Sequence, residues 1–130
     1  MESWHRVYRE PDPPDSAGRF QGVAPDGSFW FSGHFPGDPI LPGIAILAMV
    51  REAVMLAESG QGRSARIEGV RRVRFRLPVR PGDRLDLAFA PAVRGDRMHY
   101  TFKVSLDDTM VCSGIFIAAV SPAEGGKNAA

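Results

Sequence analysis

Cysteine is almost absent from this chain. Its one thiol, Cys112, excludes an internal disulfide and fits a reducing compartment. Long apolar runs are missing as well. The longest, Ile44–Val50, falls far short of the roughly 20 residues that a membrane span needs. The opening stretch, MESWHRVYREPDPPDS, has no apolar centre and does not read as a signal peptide. The formal net charge is only +1, so nothing draws the whole molecule to nucleic acid or to a membrane. Histidine is scarce, and His5 and His99 have no cysteine or second histidine at metal-ligand spacing. Neither a metal nor any other cofactor is expected. These absences leave a soluble protein, with the cytoplasm as its expected location.

What is present suffices for one domain. Hydrophobic residues make up 44% of the 130, close to the globular norm and enough for a real core. Residues 1–18 are polar and contain Pro11, Pro13 and Pro14, which reads as an N-terminal arm with a short ordered piece around Trp4–Tyr8. The domain is expected over residues 19–120, and residues 121–130 as a fraying tail. Phe20–Ala24 and Ser28–Phe31 flank Pro25-Asp26-Gly27, a turn signal, and read as a hairpin.

The stretch GHFPGDPILPGIAILAMVREAVMLAE, Gly33–Glu58, organises the rest. Its first half is a loop in which Pro36, Pro39 and Pro42 fix φ. Its second half, Ile44–Glu58, has no Gly or Pro and predicts a helix, capped near Gly60. Ile44–Val50 is apolar all round and should be buried on every side. Strand-like stretches follow. In Arg66–Leu77, Val73, Phe75 and Leu77 alternate with Arg72, Arg74 and Arg76. Leu85–Phe89, Met98–Leu106 and Met110–Val120 come next, separated by Arg94-Gly95-Asp96 and Asp107-Asp108. One apolar helix and a run of antiparallel strands imply an α+β domain with the sheet wrapped around the helix. Its edges need covering, most simply by a second copy. Cys112 is expected in the core. Phe29, Trp30 and Phe31 are assigned to packing, with one of them a candidate wall of an acyl channel.

Gly33-His34-Phe35-Pro36-Gly37-Asp38-Pro39-Ile40-Leu41-Pro42-Gly43 resembles the signature of the β-hydroxyacyl-acyl-carrier-protein dehydratases of fatty-acid synthesis. RVRFRLPVRPGD, Arg72–Asp83, and the closing strands Met98–Val120 are similar to that family too. The resemblance spans about Phe20–Val120. It implies a hot-dog fold and a dimer with active sites at the subunit interface. It also implies that His34 is the catalytic base or acid. The backbone N–H of Gly43 would bind the thioester carbonyl, with Phe35, Pro42, Ile44 and Ala48 lining the substrate. A helix amino end offers unpaired donors and a positive dipole end, which would stabilise charge on that oxygen.

One departure stands out. The family carries Asp or Glu fourteen residues after the histidine, and here that residue is Ala48. One turn on, Glu52 stands where the family usually has Gln. Glu52 is therefore the candidate for the missing acid, directly or through a water. Its simpler reading is a carboxylate paired with a basic side chain, a neighbouring subunit or solvent. Arg71, Arg72, Arg74, Arg76 and Arg80 form the densest basic cluster. They are either a solvated sheet face or a docking surface for acidic acyl carrier protein, chiefly through Arg72, Arg74 and Arg76. Three functions stay open: a dehydratase acting on carrier-protein or coenzyme A thioesters, a thioesterase on the same scaffold, and a non-catalytic acyl-thioester-binding subunit.

Overall fold

The computed structural model describes residues 5–9, 19–25, 28–31 and 40–123. The expected loop histidine, His34, and Phe35 lie outside the described residues, as do most of the N-terminal arm and the C-terminal tail.

Among these residues the strands are β1 (Arg6–Arg9), β2 (Arg19–Val23), β3 (Arg63–Phe75), β4 (Arg84–Arg94), β5 (Arg97–Leu106) and β6 (Thr109–Pro122), with one α-helix, α1 (Gly43–Ser59), between β2 and β3. They form a six-stranded sheet in the order β1-β2-β4-β5-β6-β3, antiparallel throughout. Both edge strands, β1 and β3, pack against α1, as do β2 and β4. A flat sheet cannot bring both its edges to one helix, so this one curls around it. That is the hot-dog arrangement.

Burial explains the register. On α1, Ala45, Ile46, Met49, Val50, Ala53 and Val54 are buried, a stripe at helical spacing. They meet Phe20, Leu85, Leu87, Tyr100, Phe102, Val104, Val111, Cys112, Phe116 and Ala118 from the inner face of the sheet. Each of the larger aliphatic and phenylalanine side chains among them contributes about 1.5–3 kcal/mol by leaving water, and each alanine less. Two turns fix the strand partners. Asp107 and Asp108 both have positive φ, 50° and 68°, and close a two-residue hairpin between Leu106 and Thr109. Gly82 has φ 83°, and Asp83 accepts the Arg80 backbone N–H at 2.9 Å.

The structure differs from expectation in four places. Phe29–Phe31 is a 3-10 turn, not a strand, because Ser28 accepts the Trp30 N–H on its hydroxyl and the Phe31 N–H on its carbonyl. β2 pairs with β1 and β4 instead, so residues 6–9 join the sheet. The start of α1 is not buried on every side: Ile44 is 64% exposed, and Met55 and Leu56 continue its open face. α1 does end at the expected cap, Gly60, whose N–H reaches the Leu56 carbonyl, but this cap keeps right-handed backbone and the left-handed residue comes two later, at Gly62, φ 76°. Finally, β3 slips register between Arg71 and Arg74, with Arg72 at φ 57°, so its side chains do not alternate evenly.

Candidate active site

The amino end of α1 is built from proline and backbone. Pro42 is the N-cap, extended at φ −64° and ψ 150°, and offers no side-chain cap. Leu41 donates its N–H to the Val79 carbonyl at 2.7 Å, which pins the chain entering the helix. Ala45 N–H reaches the Pro42 carbonyl at 2.9 Å. Gly43 and Ile44, ahead of it, have no partner for their N–H groups among the described residues. No acidic side chain lies in the first turn to compete for the positive dipole end.

A cavity of about 480 Å³ opens at this end, walled by Ile40, Leu41, Gly43, Ile46, Phe75 and Leu77, with Arg76 at its rim. The Phe75 ring lies directly over Gly43. A Cβ added at position 43 would sit 2.7 Å from Phe75 Cζ, so only glycine admits the ring at this distance. The pocket is apolar with free N–H donors beside it, which suits an acyl chain whose one polar atom is a carbonyl oxygen.

A second cavity, of about 510 Å³, lies further along the open face of the helix, between Ala48, Glu52, Arg51 and Met55. Ala48 and Glu52 thus meet in one place, but not at the Gly43 cavity. Of the other residues expected around the substrate, Pro42 is at the helix start and Ile44 points largely to solvent. His5, expected to be isolated, closes the second cavity. Its Nε2 lies 3.0 Å from Glu52 Oε1, and Trp30 donates its indole N–H to His5 Nδ1 at 3.0 Å. Glu52 makes no other ion pair among the described residues.

The far end of α1 carries a buried polar knot. Tyr100 donates to Glu58 Oε2 at 2.6 Å, and Arg63 Nε donates to Glu58 Oε1 at 2.7 Å. Burial first, then this hydrogen bond, holds the Tyr100 phenol well above its usual range. Burial alone pushes the Cys112 thiol up to about 11, so it is an inert core thiol.

Arg72, Arg74 and Arg76 share a groove of about 330 Å³ with Lys103 of β5. Arg74 and Lys103 both face Ser113 of β6 from either side, which aligns them in a row across the sheet. The three arginines are exposed and form no ion pair among the described residues, unlike Arg66 and Arg97, which clamp Glu68 and hold its carboxyl below the usual range. Arg76 lines both the groove and the Gly43 cavity. Sequence reasoning missed His5, Phe75 and Leu77 as site residues, and named Trp30 only for packing or as one of three candidate walls of an acyl channel. Phe75 and Leu77, exposed apolar residues at and just beyond the end of β3, carried a signal.

A single helix in a curled antiparallel sheet, its amino end open on an apolar cavity, defines a hot-dog protein. Comparison with known proteins narrows the class. Residues 13–115 match the ApeI-like family, described as ApeI dehydratase. The chain belongs to that family of dehydratases. Curated relatives include the 3-hydroxyacyl-[acyl-carrier-protein] dehydratase FabZ of Syntrophomonas wolfei, 32% identical over 70% of this chain and 67% of that one. The FabZ of Syntrophobacter fumaroxidans is 31% identical over 77% and 72%. Among solved structures, the dehydratase heterocomplex ApeI:P from Xenorhabdus doucetiae superposes with a TM-score of 0.64 at 20% identity, over 92% of this chain and 99% of that one. The thioesterase HI1161 from Haemophilus influenzae gives the same TM-score at 14% identity, over 91% and 80%. At these identities the two structures establish the fold only.

Proposed function

We propose that the protein dehydrates 3-hydroxyacyl thioesters. The observation that carries this reading is the amino end of α1, with unpartnered N–H groups at Gly43 and Ile44 beside an apolar cavity. The thioester carbonyl accepts from Gly43, and charge gathering on its oxygen is stabilised by donors and dipole together. His34 takes the α-proton. The electron pair of the C–H bond forms the Cα–Cβ double bond, the Cβ–O bond breaks, and His34 returns the proton to the departing hydroxyl, which leaves as water. No net proton is needed.

Glu52 assists as a carboxylate that orients the hydroxyl or an intervening water. It stands nine residues beyond Gly43, about 13 Å of helix, too far to share one substrate within a subunit. The working unit is therefore a dimer, in which the carboxylate comes from the second copy. The edge of β3, unpaired among the described residues, supports such pairing. Carrier protein docks on the cationic groove of Arg72, Arg74, Arg76 and Lys103, and Arg76, common to groove and cavity, supports a path from one to the other.

Hydration of trans-2-enoyl thioesters of carrier protein and of coenzyme A tests the proposal. The unmutated protein turns over and His34→Ala does not. Arg72→Glu with Arg74→Glu weakens the carrier-protein reaction and its salt dependence while sparing the coenzyme A substrate. Absence of turnover on thioesters of several lengths overturns the reading. A thioesterase reading rests on the exposed carboxylate of Glu52. It predicts release of free thiol that is lost in Glu52→Gln.

A further inference from the structure

Three side chains far apart in sequence, Trp30, His5 and Glu52, form a single hydrogen-bonded chain. β1 carries His5 to the helix, because Arg6 pairs with Val23 of β2 beside α1. The direction of the chain follows from its first member. An indole nitrogen only donates. His5 Nδ1, which receives it at 3.0 Å, must present a lone pair. The one N–H of the neutral ring is then on Nε2, and it faces Glu52 Oε1 at 3.0 Å. Each bond polarises the next in the same sense.

We propose that His5 is a positioning residue for the dehydration: locked by Trp30 as the Nε2–H tautomer, it holds one oxygen of Glu52 and leaves the other to bind a hydroxyl or water in the cavity beside Ala48. This rests on the reading above, in which Glu52 serves the reaction. Three features support a role beyond stability. The His5 side chain is 12% exposed, whereas that of Glu52 is 45% exposed, so the fold orders the donor and offers the acceptor to the cavity. A pair with one half-open member contributes little to folding. Ala48, one turn before Glu52, leaves space on the same helix face. Without His5 the carboxylate would sample several rotamers or turn to Arg51, the cation that lines the same cavity.

The test joins ring nitrogen NMR with kinetics. Long-range ¹⁵N–¹H spectra of the full chain should report Nε2–H at His5, and Trp30→Phe should bring in the other tautomer. His5→Ala should lower kcat for enoyl-thioester hydration by roughly 10- to 100-fold with KM little changed. His5→Gln, whose amide N–H reaches about as far as Nε2, should recover most of the loss, and the thermal midpoints of both variants show that they are folded. An Nδ1–H ring, or wild-type kcat in a folded His5→Ala, overturns the inference while leaving the dehydratase reading intact. No turnover by the unmutated protein overturns the dehydratase reading itself, and the positioning role of His5 with it.

Discussion

Replacing Gly43 by alanine probes the contact that shapes the amino end of α1. The new Cβ would lie 2.7 Å from Phe75 Cζ and 3.0 Å from both Cε atoms. Comfortable carbon contacts begin near 3.5 Å, so about 0.8 Å must be found. If the ring stayed put, overpacking would cost about 1–3 kcal/mol. Against this, alanine gains up to about 1 kcal/mol over glycine within a helix. Phe75 is 50% exposed, so its ring can swing outward and relieve part of the clash. The expected net loss for Gly43→Ala is about 0–2 kcal/mol, and the ring that moves is a wall of the cavity. The sharper test is the double-mutant cycle with Phe75→Ala. In that background the obstacle is gone, and Gly43→Ala should become neutral or stabilising. Urea unfolding of the four proteins reads the change of sign, and enoyl-thioester hydration shows whether the cavity wall matters to turnover. The same destabilisation by Gly43→Ala with and without Phe75 would refute the contact as its cause.

Tyr100→Phe removes the 2.6 Å hydrogen bond to buried Glu58. It should cost about 1–3 kcal/mol in urea unfolding, and an unchanged midpoint would refute the role given to this knot. Alkali should destabilise the fold in a defined window. The Cys112 thiol moves from 9.0 to about 11 on burial, so the folded state favours the protonated form. Its contribution is complete below pH 9 and is lost progressively as pH rises toward 11, a change of about 3 kcal/mol. Tyr100, also raised, extends the loss to higher pH. Stability measured across this range should fall less steeply in Cys112→Ala, and an equal slope in that variant would count against the buried thiol.

The order and type of most elements were legible because their causes are local. β5 alternates Tyr100, Phe102 and Val104 against Thr101 and Lys103, and one face of it is buried as that period requires. α1 lacks breakers from Ile44 to Glu58 and is helical throughout. The errors lie where competing local bonds or distant partners decide. Aromatic Phe29–Phe31 favours strand by propensity, yet the Ser28 side chain closes a turn there. Uniform apolarity in Ile44–Val50 could not reveal that one face stays open, since apolarity does not say what will cover it. The slip at Arg72 leaves no trace in the hydrophobic pattern, although it helps set how three arginines share a groove with Lys103. The least legible feature is the contact of His5 with Glu52, 47 residues apart. It depends on β1 pairing with β2, and no spacing rule reaches that far.

The displaced carboxylate invites a swap. The dehydratase resemblance implies an acid at position 48 with an amide at 52, whereas this chain has Ala48 and Glu52. The two positions are one turn apart on the open face of α1 and line the same cavity. If a carboxylate on this face serves the reaction, Glu52→Gln should lower kcat by about 10²–10⁴-fold. Adding Ala48→Glu to that variant should restore a large part of it, because the new side chain enters the same cavity from one turn nearer the amino end. Ala48→Glu alone should do less, since it sets two like charges four residues apart at a cost of about 0.2–0.5 kcal/mol and adds an acid to a site that already has one. Rescue in the double variant would show that the helix face, not the particular position, carries the function. If Ala48→Glu fails to rescue a folded Glu52→Gln protein, the carboxylate is tied to His5 and to its own turn of the helix. If Glu52→Gln turns over like the unmutated protein, the carboxylate has no part in the chemistry and His34 with Gly43 must account for all of it.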